Sequence, residues 1–257
     1  MNVLSEDPRD HGVERTRWRL QDLIGRVPIT AQSVSGLWTA LRRLDIRYRA
    51  GWAHLLSPDP LAQDKLAWLE AVLQRARAQP ERVVVLWLDE LTFYRLPSMA
   101  PTWSDAANRQ RAQKAGMSAG ANTCARVVGA LNAFTGQLHV LLRSEIGSTQ
   151  LQHFYLLLRT AYPHADEIYV IQDCWPVHLL TPVCATAAHH NIALLPLPTY
   201  SSWRNPIEKL WRWLKQDVIH MHRWALDWPR LKQAVLAFLA QFDHPSPALL
   251  RYVGLSD

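Results

Sequence analysis

Two short apolar runs, each ending in a carboxylate, constrain this chain more than any other feature of its sequence. Arg82-Val-Val-Val-Leu-Trp-Leu leads into Asp89, and Glu167-Ile-Tyr-Val-Ile-Gln leads into Asp173. Runs of this length, rich in β-branched residues and without a polar alternate face, belong to strands covered by helices on both sides. An aspartate at the end of such a strand is costly to desolvate unless it is paired, hydrogen-bonded or bound to a cation. Each alone is also explained as a turn former or helix cap. Two at comparable strand ends point to a site at the carboxyl edge of a sheet, where α/β folds bind ligands.

The rest of the pattern supplies such a sheet. Residues 123–133 and 137–143 read as strands joined by a Phe134-Thr-Gly turn, and Ile192–Leu195 as a short strand. Helices are expected over 149–160, 177–190, from Pro206 onward, and over 229–242. Five strands interleaved with helices give an α/β fold with a mixed central sheet flanked by helices.

Residues 1–57 read as helical and basic. A helix with its N-cap at Ser33 or Ser35 places Val34, Leu37, Trp38, Leu41 and Leu44 on one stripe, with Arg42, Arg43, Arg47 and Arg49 on it or just beyond. With another helix around 14–25 it fits a partial helix-turn-helix, and equally an ordinary surface helix with solvated arginines. Ser57-Pro-Asp-Pro breaks the chain, and 61–78 form an amphipathic helix ended by Pro80. The expected divisions are therefore 1–57, a linker helix in 58–80, an α/β domain in 81–225 and a helical extension in 226–257.

Charge and composition narrow the function. Basic residues number 28 against 22 acidic, a net charge of +6 with pI near 9.5, and all but five of the basic residues are Arg. The guanidinium fork grips phosphate bidentately, so the balance suits nucleic acid as a partner. Three cysteines without a Cys-x-x-Cys pair exclude a disulfide framework and a Cys-rich zinc module, and fit a reducing compartment. No apolar run reaches the roughly 18 residues of a membrane helix, and the opening Met-Asn-Val-Leu-Ser-Glu-Asp does not read as a secretory signal.

A third carboxylate, Glu208, lies in Asn205-Pro-Ile-Glu208-Lys-Leu-Trp-Arg. Asn205 as N-cap, Pro206 at N1 and Glu208 at N3 make a capping box, and Arg212 stands one turn on as an ion-pair partner. The same helix buries Ile207, Leu210, Trp211 and Leu214 and turns Lys209, Arg212 and Lys215 outward. Three separated carboxylates among basic side chains also suit Mg2+ or Mn2+, which take hard oxygen ligands and leave room for phosphate oxygens. His189-His190 and His220-x-His222 offer no third ligand and read as solvated. Trp38, Trp87 and Trp211 read as core.

Taken together, Leu88-Asp89-Glu90, Ile171-Gln-Asp173-x4-His178 and Leu197-Pro-Thr-Tyr-Ser-x3-Asn205-Pro-Ile-Glu208-x2-Trp211 resemble the DDE transposases of bacterial insertion sequences, on the mariner superfamily branch. The 34 residues between Asp173 and Glu208 match that branch, and the resemblance runs over about residues 33–220. It implies a ribonuclease H-like catalytic domain in which Asp89, Asp173 and Glu208 hold two Mg2+ (or Mn2+) ions for in-line phosphoryl transfer. It also implies double-stranded DNA as partner, both terminal inverted repeats and target, a homodimer or larger assembly on DNA, no membrane, and a place in the bacterial cytoplasm on the nucleoid. Arg42, Arg43, Arg47, Arg49, Arg204, Lys209, Arg212 and Lys215 are the DNA-contacting candidates. Glu90, His178 and Asn205 are expected beside the carboxylates, with Glu90 on the opposite side of its strand and His178 near phosphate or a metal-bound water. Trp175 and Trp203 flank the carboxylates and either stack on a base or pack. Three departures stand out: Cys174 replaces the usual Asn, Ser202-Trp203-Arg204 replaces Pro-x-Leu, and the basic N-terminal region is short. The last leads us to expect a truncated copy, or one relying on a second reading frame. The alternative function is an impaired DNA-binding relic or repressor. A ribonuclease H-like nuclease without strand transfer fits the Asn-Pro-Ile-Glu block less well.

Overall fold

Strand β1 (Val83–Tyr94) runs through the middle of a five-stranded sheet in the computed structural model, which describes residues 2–48, 57–101 and 115–256. The order is β3-β2-β1-β4-β5, with β2 (Cys124–Asn132), β3 (Leu138–Arg143), β4 (Glu167–Gln172) and β5 (Ile192–Pro196). β1 pairs antiparallel with β2 and parallel with β4. β2–β3 is antiparallel, and β4–β5 is parallel. The expected mixed sheet flanked by helices is the one observed.

β1 is longer than its apolar run. Its parallel ladder with β4 ends at Trp87↔Ile171, while pairing with β2 continues to Tyr94↔Cys124. Asp89 thus lies just past the parallel ladder rather than at the strand's end, and Asp173 follows β4 directly. The alternation of side chains sorts the strand into two faces. Val83, Val85, Trp87, Leu91 and Phe93 enter one core, and Val84, Leu86 and Leu88 enter the other.

The first core is covered by α3 (Ala62–Ala78), α6 (Ile207–Leu214), α7 (Trp228–Leu239) and α8 (Pro247–Val253). The second is covered by α4 (Ser148–Ala161) and α5 (Thr181–His189). Val72 and Ala76 of α3 are buried in the same core as the sheet, so the helix read as a linker is a packed layer of this unit. Leu231, Val235, Leu249 and Val253 place the last two helices in that core as well. Helix α8 was not expected, although Ser246 as N-cap, Pro247 and a left-handed Gly254 signal it. The helix expected over 177–190 is split at Leu180, whose extended backbone separates a short turn over Pro176–Leu179 from α5, where Pro182 sits in the first turn.

The chain forms two compact units, residues 1–54 and 55–257. In the first, α2 (Val34–Arg43) is capped by the Ser33 hydroxyl and buries Leu37 and Leu41 with Leu23 and Val27. The preceding helix is a single turn, α1 (Leu20–Leu23), rather than the span 14–25. Trp38 is 48% exposed, contrary to its expected core position.

Candidate active site

Sheet pairing and side-chain alternation bring the carboxylates to one edge. Asp89 points to the face of β1 covered by α6, and its Oδ2 accepts the indole N–H of Trp211 at 3.0 Å. Burial, followed by the negative charges of Glu208, Glu90 and Asp173, pushes the Asp89 carboxyl up to about 8. Glu208 lies in the first turn of α6, where the helix dipole favours a carboxylate. Among the described residues its carboxylate makes no hydrogen bond and no salt bridge, while its N–H donates to the Asn205 carbonyl at 3.2 Å.

The capping box therefore does not form. The Asn205 amide turns instead to β1, donating from Nδ2 to the Leu88 carbonyl at 2.8 Å, while its Oδ1 accepts from the Ile207 N–H at 3.4 Å. Asn205 thus ties the start of α6 to the residue preceding Asp89, and Glu208 is left free of a capping role. The Glu208–Arg212 pair is not formed either; Arg212 is exposed.

Asp173 is fixed by a third group. Its Oδ1 accepts the Trp175 N–H at 2.9 Å and a bond from His178 Nδ1 at 3.1 Å. The His178 bond holds the Asp173 carboxyl below its usual range, against burial. His178 is fully buried, and its Nε2 donates to Glu90 Oε1 at 2.9 Å. Burial alone would lower the imidazole's proton affinity; the bonds to Asp173 and Glu90 override it and raise the group to about 10. Glu90 does lie on the opposite side of β1 from Asp89. His178, with both nitrogens occupied by carboxylates, braces Asp173 rather than facing a phosphate. Trp175 packs edge-on against it, at 5.3 Å between ring centroids.

Cys174 leaves Asp173 undisturbed: its thiol donates to the Leu197 carbonyl at 3.2 Å. Beside Asp173 opens a cleft of about 320 Å3, walled by Trp175, Pro198, Thr199 and Tyr200. Trp203 and Tyr200 are exposed on the loop before α6.

The basic candidates divide. Arg43, Arg204 and Arg212 are exposed. Lys215 is half-buried. Arg42 lies over the Trp38 ring at 5.0 Å, and Arg47 pairs with Asp45 at 2.9 Å. Lys209 is exposed, and its ammonium donates to the Val253 carbonyl at 2.6 Å, at the end of α8, where a cation satisfies an orphan carbonyl. Arg49 lies outside the described residues. His222, read as solvated, is buried and accepts the Trp224 N–H at 3.1 Å.

The donor chemistry at this edge fits a divalent cation. Burial and the charges of Glu208, Glu90 and Asp173 raise the proton affinity of Asp89, and neither Asp89 nor Glu208 has a cationic partner among the described residues. Among the described residues no three ligating groups are drawn together tightly enough to hold an ion unaided.

Trp211 is buried in the core as expected, but its indole N–H also reaches Asp89, a contact the sequence reading missed. A buried indole N–H requires a partner, and its position one turn after Glu208 was the available signal.

Sheet order and the placing of carboxylates on β1, after β4 and on α6 define a ribonuclease H-like domain. Residues 84–231, more than half of the chain, match the family model described as DDE superfamily endonuclease, and the chain belongs to that family. It is 23% identical over 235 residues to the insertion element IS630 uncharacterized 39 kDa protein of Shigella sonnei, covering 90% of this chain and 66% of that protein. The chain therefore spans about two thirds of that relative's length. Among solved structures it is similar to the Mos1 transposase paired-end complex with left transposon end, with TM-score 0.61, 16% identity and coverage of 95% of this chain and 77% of the other. It is also similar to the Mos1 mariner paired end complex with Mn, with TM-score 0.60, 17% identity and coverage of 99% and 79%. The resemblance to the mariner branch read from the sequence is borne out.

Proposed function

We propose that this chain is a transposase that cuts DNA at the ends of its own element and joins the freed ends to target DNA. The observation that carries the reading is the state of Asp89, whose carboxyl is raised to about 8 by burial and by the charges of Glu208, Glu90 and Asp173. A structural carboxylate is normally paired; one crowded by other carboxylates and left without a cation is arranged for a ligand that supplies positive charge. Asp89, Asp173 and Glu208 would hold two Mg2+ or Mn2+ ions. When bound, the ions lower the pKa of water and stabilise the attacking and leaving oxygens of an in-line displacement.

The residues of the chain position this chemistry. His178 and the Trp175 N–H fix Asp173 through Oδ1, leaving Oδ2 without a hydrogen bond among the described residues. Asn205 sets the start of α6, and with it Glu208, against β1. In the first step a water oxygen attacks phosphorus and the P–O bond to the 3′ oxygen breaks, freeing a 3′-hydroxyl. In the second that hydroxyl attacks a target phosphodiester, with the same number of P–O bonds made and broken. Exposed Arg43, Arg204 and Arg212 suit phosphate contacts, which set register rather than read sequence. The partners are the terminal inverted repeats and target DNA, bound by a homodimer or larger assembly in the bacterial cytoplasm. No described helix is long and apolar enough to cross a membrane.

The test is Mg2+-dependent cleavage of a duplex carrying the element's end sequence, wild type beside Asp173→Ala. Cleavage by wild type and its loss in the variant is the expected result. Cleavage retained by Asp173→Ala removes that residue from the site, and DNA binding without cleavage by wild type favours the repressor reading.

A further inference from the structure

Trp211 makes its contact with Asp89 only because the residue across the sheet has no side chain. Gly129 of β2 is the register partner of Asp89 on β1. Its backbone does not lie in the left-handed region, so the glycine is not needed for chain conformation. It is needed for space. A Cβ at 129 would stand 2.7 Å from Trp211 Cη2, 3.0 Å from its Cζ2 and 3.2 Å from Ile207 Cδ1. The indole edge therefore occupies the space a side chain at 129 would fill, and its N–H reaches Asp89. Trp211 is 1% exposed and held from the helix side by Ile207 and Leu210 of the same core, so it has no other place to go.

We infer that Gly129 and Trp211 form a positioning device that orients the Asp89 carboxylate for a divalent cation, with Trp211 as the positioning residue and Gly129 as the space that admits it. The inference rests on the proposed metal-dependent reading of the site. An indole N–H only donates, so it fixes the carboxylate's rotation without itself competing for a cation. Groups of this kind behind a metal ligand set its orientation, and their loss typically costs about 10- to 100-fold in metal affinity.

The experiment measures Mn2+ binding to the full chain by electron paramagnetic resonance of the free ion, with thermal melting of each variant alongside. Wild type and Asp89→Asn test the reading itself: wild type should bind Mn2+ and Asp89→Asn should lose it. If wild type binds none, or Asp89→Asn binds as wild type does, the metal reading of the site falls and the inference with it. Given that result, Trp211→Phe keeps an aromatic in the core but removes the donor, and should weaken Mn2+ binding about 10-fold. Gly129→Ala keeps the donor but displaces it, and should weaken binding to a similar extent. In the double variant the smaller ring relieves the crowding, so binding should be no weaker than in Trp211→Phe alone. A merely structural role would lower the melting temperature of folded variants and leave Mn2+ affinity where it was; that outcome overturns the inference. If Trp211→Phe does not fold, Gly129→Ala decides alone, and wild-type Mn2+ affinity in it refutes the proposal.

Discussion

Neutralising Asp89 should make the metal-free protein more stable, and increasingly so as pH rises. An aspartate in the unfolded chain titrates at its usual 3.8, whereas the folded chain raises Asp89 to about 8. Between these values the folded state binds one proton more than the unfolded state, so stability falls as pH increases. The slope is about 1.4 kcal/mol per pH unit, which from pH 5 to pH 8 amounts to about 4 kcal/mol. Water in the adjoining cleft softens this, and a difference of about 2–4 kcal/mol is expected. Asp89→Asn cannot ionise and escapes that loss. Urea melts of wild type and Asp89→Asn in EDTA at pH 5, 6.5, 8 and 9 isolate the effect, because other titrating groups largely cancel in the difference. The variant's advantage should grow to about pH 8 and then level off. Added Mg2+ or Mn2+ should stabilise wild type at pH 8 and leave Asp89→Asn unmoved. An advantage that stays flat from pH 5 to pH 9 would refute the argument that Asp89 is buried among like charges.

The other expectations are simpler. Glu208→Gln should abolish cleavage while leaving the metal-free protein within about 0.5 kcal/mol of wild type or slightly more stable, since no capping bond is lost; a loss of about 1 kcal/mol in urea melts would restore the capping role. His178→Gln should cost about 3 kcal/mol by unpairing Asp173 and Glu90. Because His178 is raised from 6.5 to about 10, this wild-type advantage should be fully present below pH 6.5 and fade as pH climbs toward 10; pH-dependent melts check the sign. Lys209→Ala should lower stability by about 1 kcal/mol through the Val253 carbonyl and leave DNA affinity and its salt dependence unchanged. Arg212→Ala should instead reduce DNA affinity and its salt slope, read by fluorescence anisotropy across a salt series.

Much of the candidate site was legible because its residues announce themselves locally. Apolar runs closing on Asp89 and Asp173 identify buried strands, and a period of two along β1 already separates Asp89 from Glu90. The Ser33 cap fixed the start of α2 for the same reason: the signal and the structure lie within four residues of each other. Errors arose where a local motif had a distant competitor. Asn205 satisfies every rule for a capping box, yet its amide bonds to Leu88, 117 positions away in the chain. Trp38 fits the apolar stripe of α2, yet it is half exposed with Arg42 lying over its ring.

By itself, then, the sequence determined the strands, the alternation of strands and helices, and the two aspartates that strands β1 and β4 carry to one edge. These follow from periodicity and from the cost of burying a charge, both of which are properties of short segments. Only the tertiary structure decided what each carboxylate faces. Asp89 gains its indole because β2 places a glycine opposite it, Asp173 is braced because His178 also finds Glu90, and Glu208 makes no capping bond because the Asn205 N–H donates to the Ser202 carbonyl instead. Such pairings depend on which backbone passes within a few ångströms, and that is set by packing between elements far apart in sequence.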